Sequence, residues 1–467
     1  MTKLINTQFN ALRQAWEQNR PDEKQRRDDL ICLRKNFKAS LNEMTEAISC
    51  DFGHRSRHES IMAEAVIVLN EIDLCLRSLK KWAKPQRYKV GWQLWPAKAE
   101  IRYVPLGVVG IMAPWNYPVN LTLIPLIAAI AAGNHVFIKP SEHTPHTNAY
   151  LEKLLSKIFP ENRVSIAQGG ANIAADFSAL PFDHLLFTGS KANGKKVMAA
   201  AAQNLTPVTL ELGGKSPALI APDADLKKAA ARIITGKLFN SGQTCIAPDY
   251  ILLPENVIEP FIAEIKEQVS KRYPQPNNFP DYTSIINDNQ YQRLIKLLED
   301  AITRGHQAIP LIPLTDQEQA LKQRVFTPTL VLNPDDSSAI MQEEIFGPLI
   351  PVKTYRSYDE AIHYVASHER PLAFYCFSRN NKCIEAALSH IVAGSICIND
   401  TLYQFACTGL PFGGVGPSGM GQYHGYEGFK TFSKAMPILR KYNPSLTDML
   451  HPPYGKFVNM VIRILTR

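Results

Sequence analysis

Five short apolar runs alternate with helical stretches between Gly107 and Leu212: GVVGIM (107–112), HVFIKP (135–140), VSIAQG (164–169), HLLFTG (184–189) and VTLEL (208–212). Each run is rich in β-branched or large apolar residues and has the length of a buried strand. Strands that alternate with helices favour a parallel, doubly wound sheet with right-handed crossovers. The sequence therefore predicts an α/β fold.

The flanking segments have other patterns. Residues from about 7 to 82 carry apolar positions three, four or seven apart, which predicts a helical entry segment. Residues 88–104 resemble two extended strands of a ribbon, and a second strand–helix alternation runs from Pro217 to about Cys397. The tail after Asn399 is glycine-rich, then strand-like, and ends in a short helical sequence. Two α/β regions predict a cofactor domain and a catalytic domain with a ligand cleft between them.

The composition of the 467 residues excludes several classes of protein. Apolar residues make up 45% and charged residues 20%, which argues against disorder. The net charge of +8 is spread along the chain, so no basic patch predicts nucleic-acid binding. The eight cysteines include no CxxC pair and the N-terminus has no apolar signal core, which favours a reducing, cytoplasmic location. The most apolar stretch, residues 121–133, is too short for a bilayer and predicts a buried helix.

Two loops that follow predicted strands could hold a ligand. Residues 187–194 end a strand and begin a helix, with glycines where the backbone turns tightly, and such a helix N-terminus can bind a pyrophosphate. A plain strand-to-helix turn fits the same spacing. Lys139 and Glu142 leave another strand three residues apart, which suits ribose hydroxyls. A solvated lysine and glutamate in a loop are the alternative.

Three further side chains suit covalent catalysis. Cys245 follows small and polar residues in NSGQTC (240–245), as an exposed reactive thiol would, whereas the other seven cysteines are expected to be buried and inert. Glu211 lies in an apolar strand before a Gly-Gly turn, where burial raises a carboxyl pKa and suits a general base; a salt bridge is the alternative. Asn116 follows the first strand and could direct its amide toward an oxyanion or simply form a turn.

Other motif-like patterns are weaker. The only GxGxxG, residues 414–419, follows a Pro-Phe-Gly turn and opens no helical sequence, so we do not assign it to a dinucleotide. His54 and His58 have the spacing of a metal pair but lack a third ligand, which favours exposed positions of a helix and no metal site. No HExxH, GxSxG or P-loop occurs in a suitable setting, which disfavours zincins, serine hydrolases and P-loop enzymes.

Seven motifs, in this order, resemble the NAD(P)-dependent aldehyde dehydrogenase superfamily along nearly the whole chain: APWNYP, KPSE, FTGSxxxG, LELGGKSP, GQTCIAP, EEIFGP and PFGGVGPSGMG. GQTCIAPDY and LPFGGVGPSGMGxYHG are similar to the class 3 branch, and DFGHRSRHE, LPFDHLLFTGS, DYTSIIN and PPYGKFV to its bacterial coniferyl aldehyde dehydrogenases. The resemblance implies a Rossmann-like cofactor domain, an α/β catalytic domain and a small β-ribbon segment for oligomerisation.

The resemblance implies a role for each catalytic candidate. Cys245 would be the nucleophile that forms a thiohemiacetal and then a thioester, with the oxyanion held by the Asn116 amide and the Cys245 backbone N–H. Glu211 would deprotonate the water that releases a carboxylic acid. Relatives that pass the thioester to coenzyme A usually lack this glutamate, so hydrolysis is favoured. A silent binding or structural protein on the same scaffold is the alternative from another class.

The resemblance also assigns a cofactor and a substrate class. The positions that match the family's cofactor contacts are Lys139 and Glu142 for the adenosine ribose, Gly189, Ser190 and Gly194 for the pyrophosphate, and Glu344 and Phe346 for the nicotinamide ribose. A carboxylate at Glu142 predicts that NAD is preferred, while NADP use stays open. The substrate is expected to be an aldehyde, either aromatic, such as coniferaldehyde, or medium- to long-chain aliphatic.

By the same resemblance, the chain divides into three parts. Residues 1–86 and 104–212 would form the NAD-binding domain and residues 213–397 the catalytic domain, while residues 87–103 and 398–467 would serve oligomerisation or bridging and include the C-terminal tail. The class 3 branch is typically dimeric, so we expect a homodimer.

The last twelve residues form an amphipathic pattern. Lys456, Arg463 and Arg467 fall on one helical face, and Phe457, Met460, Val461 and Ile464 on another. We expect the apolar face to pack on the enzyme or on its dimer partner, and contact with a membrane surface is the alternative.

Overall fold

The computed structural model describes residues 2–274, 280–313 and 317–466. Its α-helices are α1 (Thr2–Gln18), α2 (Glu23–Ala39), α3 (Leu41–Phe52), α4 (Arg57–Ser60), α5 (Ile67–Trp82), α6 (Asn120–Ala132), α7 (Pro145–Ser156), α8 (Ala171–Ser178), α9 (Lys191–Ala202), α10 (Leu226–Leu238), α11 (Ile258–Arg272), α12 (Asp288–Thr303), α13 (Gln317–Lys322), α14 (Ala339–Gln342), α15 (Tyr358–Ser367), α16 (Asn381–His390), α17 (Tyr403–Ala406), α18 (Gly425–Thr431) and α19 (Lys456–Leu465).

Its strands are β1 (Gln86–Tyr88), β2 (Ala97–Pro105), β3 (Val108–Met112), β4 (His135–Lys139), β5 (Val164–Ile166), β6 (His184–Thr188), β7 (Val208–Glu211), β8 (Pro217–Ile220), β9 (Tyr250–Pro254), β10 (Ala308–Pro310), β11 (Thr329–Leu332), β12 (Leu349–Tyr355), β13 (Ala373–Phe377), β14 (Ser395–Ile398), β15 (Gly419–Met420) and β16 (Ser433–Lys441). The predicted α/β fold is confirmed, and all five predicted strands between residues 107 and 212 are present.

These five strands form one parallel sheet in the order β7-β6-β3-β4-β5, and β15 adds an antiparallel strand beside β7. Both faces of the sheet are buried. Val108 and Met112 pack with α1, whereas Val109 and Ile111 pack with the wholly buried helix α6. A sheet that is covered on both faces favours apolar residues at most positions of its strands, which explains the largely apolar runs in the sequence.

The order of the strands creates a crevice. The chain leaves the central strand β3 toward β4 on one side, and β6 and β7 lie on the other side. In sheets of this kind, ligands bind where the strand order reverses, outside the carboxyl ends of the strands. The loop that follows β3 and the loop that follows β6 are therefore brought together at this edge.

A second sheet has the order β10-β11-β12-β9-β8-β13-β14, parallel except for β10. A third sheet is antiparallel, with the order β1-β2-β16. The predicted ribbon is thus present, and the strand-like part of the tail supplies its third strand. Nine residue pairs join β16 to β2, from Ser433 opposite Pro105 to Lys441 opposite Ala97.

The histidine pair does not have the predicted helical placement. His54 lies in the loop before α4, where its ring Nε2 is 3.0 Å from the carbonyl oxygen of Pro280, and only His58 is in the helix. The loop separates the two rings because α3 ends at Phe52 and Gly53 takes a positive φ. Within residues 2–274, 280–313 and 317–466, no group of three metal-ligating side chains occurs.

The predicted terminal helix is present as α19. Val458 is buried, whereas Phe457, Met460 and Ile464 are each about half exposed on this chain. Arg467 lies outside the described residues. Among the helices that the structure describes, none is long and apolar enough to cross a membrane.

Candidate active site

A cavity of about 780 Å³ opens at the carboxyl edge of the first sheet. Its lining includes the predicted residues Asn116, Gly189, Ser190, Glu211, Cys245, Glu344 and Phe346. These residues come from separate motifs that span more than two hundred positions of the sequence. The fold therefore gathers the three catalytic candidates and four of the cofactor candidates around one space.

The turn after β6 forms one wall of the cavity. Gly189 and Ser190 join β6 to α9, and the Ser190 side chain caps the helix by accepting a hydrogen bond from the backbone N–H of Asn193 at 3.4 Å. The first N–H groups of a helix have no partner within it and carry partial positive charge, which suits an anion. The Thr188 hydroxyl, at the end of β6, also lines the cavity and has no partner among the described residues.

The loop that precedes Cys245 has an unusual backbone. Asn240, Ser241 and Gly242 all have positive φ values of 53°, 52° and 76°. A side chain at Gly242 would collide with the carbonyl oxygen of Gly347, so this position must be glycine. The left-handed turn presents Cys245 half-buried at the cavity wall.

Burial raises the pKa of the Cys245 thiol, and the nearby carboxylates of Glu344 and Glu211 raise it further. The thiol is therefore neutral at pH 7 in the free enzyme, and only the thiolate is a strong nucleophile. A base or a bound cation must shift this proton before Cys245 can attack a carbonyl group.

This protonation state predicts how Cys245 reacts with iodoacetamide in the free enzyme. Because the thiol pKa is raised, we expect slow alkylation at pH 7 and a rate that rises about tenfold per pH unit up to pH 9. The prediction that the other cysteines are buried is wrong for Cys50 and Cys407, which are exposed, so peptide-resolved mass spectrometry is needed to separate Cys245 from them. A rate that is already constant between pH 6 and pH 9 would show that Cys245 is a thiolate at neutral pH.

Glu211 ends β7 beside the cavity. Glu211 is 2% exposed, and neither of its carboxylate oxygens has a hydrogen-bond partner among the described residues. Burial raises the pKa of Glu211 well above its ordinary value. The alternative reading of Glu211, a salt bridge, is therefore not found within the part of the chain that the structure describes. A desolvated carboxyl group with free oxygens can hold and deprotonate a water molecule.

Asn116 lies in the loop after β3. Its side-chain amide donates to the carbonyl oxygen of Gln243, two residues before Cys245, at 3.1 Å. The backbone carbonyl oxygen of Asn116 accepts hydrogen bonds from Arg55 Nη1 at 2.9 Å and from Asn240 Nδ2 at 3.1 Å. The side chain of Asn116 is therefore held toward the loop that carries the thiol.

The loop of Glu344 and Phe346 forms another part of the cavity lining. Lys215 pairs with Asp249 and donates to the carbonyl oxygen of Glu343 at 3.0 Å, and Asp249 accepts the backbone N–H of Ile345 at 3.1 Å. Arg293 donates to the carbonyl oxygen of Glu344 at 3.2 Å. These charged residues fix the loop, and sequence reasoning did not single them out.

The side chains of this loop face the cavity. Burial raises the pKa of Glu344 to about 8, and Asp249 raises it too, while the backbone N–H of Gly214, Lys215 and Arg293 lower it. The ring of Phe346 meets that of Trp115 edge-to-face, with centroids 5.2 Å apart. An aromatic pair therefore lines the same cavity as the candidate nucleophile.

Three predicted cofactor residues do not line this cavity. Lys139 is buried at the end of β4, where its ammonium donates to Glu142 at 3.2 Å and to the carbonyl oxygen of Pro140 at 2.9 Å. Gly194 lies within α9, and a side chain there would meet Leu212, so this glycine lets the helix pack closely. Lys139 and Glu142 thus lie at the carboxyl end of β4, which is next to β3 in the first sheet.

The GxGxxG sequence has a structural explanation. Residues 414–419 form a tight loop that leads into β15 and opens no helix. A side chain at Gly419 would collide with the carbonyl oxygen of Leu210 in β7. The glycines therefore let this loop lie against the sheet, as expected from the lack of a following helical sequence.

Sequence reasoning missed three buried charged residues beside the site, Arg55, Glu59 and Glu64. Glu59 accepts hydrogen bonds from the Asn240 backbone N–H at 3.1 Å and from the Thr283 hydroxyl at 2.7 Å. Burial raises the pKa of Glu59 and of Glu64 to about 7. The local sequence carries no signal for Arg55 and Glu59, because residues 53–60 are polar and show no apolar periodicity.

Comparison with known proteins identifies the family. Residues 6–438 match the model of the aldehyde dehydrogenase family. The probable coniferyl aldehyde dehydrogenase of Pseudomonas aeruginosa is 47% identical over 442 residues, which cover 95% of this chain and 92% of that protein. This similarity confirms the expected likeness to bacterial coniferyl aldehyde dehydrogenases.

Solved structures of aldehyde dehydrogenases have the same fold as this chain. The substrate-bound state of Staphylococcus aureus AldH has a TM-score of 0.94 at 37% identity and covers 99% of each chain. A betaine aldehyde dehydrogenase of Staphylococcus aureus in complex with NAD+ has a TM-score of 0.85 at 26% identity, covering 97% of this chain and 91% of that one. With a family match along most of its length, the chain belongs to the aldehyde dehydrogenase family and is one of its oxidoreductases.

Proposed function

We propose that the enzyme oxidises an aldehyde to the carboxylic acid with NAD(P), through a thioester on Cys245 that is hydrolysed with Glu211 as the general base. The observation that carries this proposal is the gathering of Cys245, Glu211 and Asn116 around one cavity. A nucleophile, a base and an oxyanion donor in a common site are the parts that acyl transfer to water requires.

The residues present fit a dinucleotide. Gly189, Ser190 and the first turn of α9 would hold the pyrophosphate, and the unpartnered Thr188 hydroxyl offers a further polar contact. Lys139 and Glu142 would bind the adenosine ribose, and Glu344 and Phe346 the nicotinamide ribose. Gly194 would serve the turn indirectly, by letting α9 pack closely. When bound, the nicotinamide supplies the hydride acceptor.

The chain's own residues do the remaining chemistry. The Cys245 thiolate attacks the aldehyde carbon and forms a C–S bond, and the carbonyl oxygen becomes an oxyanion that the Asn116 amide and the Cys245 N–H stabilise. Loss of hydride from that carbon leaves a thioester. Glu211 takes a proton from water as the water attacks the thioester. The C–S bond breaks, the acid leaves, and the sulfur is free for another turnover.

Glu211 also favours hydrolysis over transfer to coenzyme A, because water is less acidic and less nucleophilic than a thiol and therefore depends more on a positioned base. The test follows NADH absorbance after an aromatic aldehyde is mixed with enzyme and NAD, with and without coenzyme A. NADH formation and free acid without coenzyme A support hydrolysis. Turnover that requires coenzyme A would contradict it.

The substrate proposed is an aromatic aldehyde such as coniferaldehyde. Kinship with coniferyl aldehyde dehydrogenases supports this proposal, and the Trp115–Phe346 pair in the cavity lining offers aromatic faces. A panel of aromatic and medium- to long-chain aliphatic aldehydes, compared by kcat/KM, tests it. A clear preference for the aliphatic members would contradict the proposal.

We expect NAD to be preferred over NADP. Although partial burial of Glu142 raises its pKa, its own backbone N–H and Lys139 lower it on balance, so the carboxylate is charged at neutral pH. A charged carboxylate accepts hydrogen bonds from ribose hydroxyls and repels a 2′-phosphate. In the Glu142→Gln variant, the kcat/KM values for NAD and NADP should lie closer together. Equal kcat/KM values in the unaltered enzyme would defeat this prediction.

We further propose the division into domains that the resemblance implies: an NAD-binding domain of residues 1–86 and 104–212, a catalytic domain of residues 213–397, and oligomerisation or bridging segments at 87–103 and 398–467.

We propose a homodimer through the sheet β1-β2-β16, which is supported by side chains that this chain leaves exposed. Trp92, Trp95 and Leu439 are between 53% and 67% exposed in or beside that sheet. The terminal helix α19 would add its exposed apolar face to the same partner, with a membrane surface as the alternative.

A cytoplasmic location is proposed on the chemistry of the cysteines. None of the eight cysteines is in a disulfide, and all eight lie within the described residues. Free thiols are typical of a reducing compartment.

A further inference from the structure

Arg55 is a buried cation next to the active site that the proposed chemistry does not use. Its side chain is fully shielded from solvent. Arg55 Nη1 lies 3.4 Å from Glu64 Oε1, and the guanidinium lies over the rings of Phe52 and Tyr117, 5.0 and 4.8 Å from their centroids. Its Nε and Nη2 atoms have no acceptor among the described residues.

This arrangement is a costly way to stabilise a fold. Burying two charges requires removing their water, and well-packed apolar residues in place of a buried ion pair are often equally or more stable. The cation here also leaves two of its nitrogens to aromatic faces, which are weaker partners than oxygens. The contact that distinguishes Arg55 from a structural ion pair is its hydrogen bond to the Asn116 carbonyl oxygen at 2.9 Å.

Arg55 and Glu64 together hold the backbone at Asn116 and just after it. Glu64 Oε2 accepts the backbone N–H groups of Val119 at 3.1 Å and Asn120 at 2.6 Å, and so holds the start of α6 just after the Asn116 loop. Arg55 links this carboxylate to the Asn116 carbonyl. Beneath the guanidinium, the Tyr117 hydroxyl is 2.6 Å from the hydroxyl of Thr244, which precedes Cys245 in the chain.

We propose that Arg55 is a positioning residue for the oxyanion site: it fixes the peptide of Asn116 so that the side-chain amide stays directed at the Cys245 loop. This inference rests on the proposed role of Asn116. A displacement of about 1 Å at a positioned group can cost about 100-fold in rate, and the loss of one oxyanion donor about 100- to 1,000-fold. The cost of losing Arg55 should therefore fall below that of losing the Asn116 amide.

The decisive variant removes the contact without leaving an unpaired charge. Arg55→Met alone would strand Glu64, so the double variant Arg55→Met/Glu64→Gln replaces the ion pair by neutral groups and keeps an acceptor for the start of α6. We expect the rate of the first NADH turnover to fall about 10- to 100-fold in the double variant. Arg55→Lys keeps the charge but cannot reproduce the planar fork, and should give an intermediate rate.

Two further measurements separate positioning from general damage. Alkylation of Cys245 by iodoacetamide at pH 9 needs no oxyanion donor, so its rate should be unchanged in the double variant, as should the KM for NAD. The double variant Arg163→Met/Asp29→Asn is the matched control, because Arg163 also pairs with a buried carboxylate, that of Asp29, and lies 5.7 Å over a phenylalanine ring, but neither residue lines the cavity. Its first-turnover rate should equal that of the unaltered enzyme.

The outcomes are distinguishable. If the double variant is folded and forms its first NADH at the unaltered rate, Arg55 is only structural and the inference is overturned. If Asn116→Ala also reacts at the unaltered rate, the oxyanion assignment itself is wrong. A slow Asn116→Ala enzyme beside an unaffected double variant would refute the Arg55 inference alone and leave the proposed function intact.

Discussion

We expect the Cys245→Ala variant to form no NADH when it is mixed with NAD and aldehyde. Both half-reactions need a sulfur that bonds to the substrate carbon, and Cys245 is the cysteine in the lining of the cavity. Loss of a covalent nucleophile should therefore remove the burst as well as steady turnover. Stopped-flow absorbance of NADH over the first turnover checks this result.

A matched control uses a thiol outside the site. Cys407 is exposed and does not line the cavity, so Cys407→Ala should retain the full burst and the full turnover rate. If Cys245→Ala still releases NADH at a rate near that of the unaltered enzyme, hydride transfer does not pass through a thiohemiacetal on this residue, and the assigned nucleophile is wrong.

The Glu211→Gln variant is expected to stop after one turnover. The thiol still attacks and the first equivalent of NADH still appears, but the thioester then lacks the base that activates water. Loss of a positioned base costs about 10²- to 10⁴-fold, so steady turnover should fall by that factor. The burst requires that Cys245 loses its proton to a group other than Glu211. If Glu211 deprotonates the thiol as well as the water, the first turnover is slowed too.

The carboxylate Glu71 provides a matched control for this variant. Glu71 is buried, and burial raises its pKa to about 7, but it accepts the backbone N–H of Gly425 at 2.7 Å and does not line the cavity. Glu71→Gln keeps that acceptor and should turn over normally. A Glu211→Gln enzyme that turns over at the unaltered rate would show that another group is the base.

The five parallel strands of the first sheet could be predicted from the sequence because each is a mostly apolar run. Burial on both faces of a parallel sheet favours apolar residues at most positions, so the signal is local. The pairing of β16 with β2 was not predicted. It joins residues more than three hundred positions apart, and no local pattern specifies that partner.

The candidate site shows the same division. Cys245, Glu211 and Asn116 each lie within a recognisable motif, and the structure brings them to one cavity. Arg55 and Glu59 act on that site from an N-terminal segment whose sequence gives no distance to it. Their roles depend on hydrogen bonds to Asn116 and Asn240, which only the folded chain reveals.

The covalent thioester is the central claim, and mass spectrometry of the quenched Glu211→Gln enzyme tests it most directly. The reaction with NAD and aldehyde is stopped at the end of the burst, and the peptide that contains Cys245 is weighed. We predict that this peptide is heavier by the mass of the aldehyde less two hydrogen atoms, as an acyl group on sulfur requires. An unmodified Cys245 peptide after a full burst of NADH, or the acyl group on a different residue, would contradict the account.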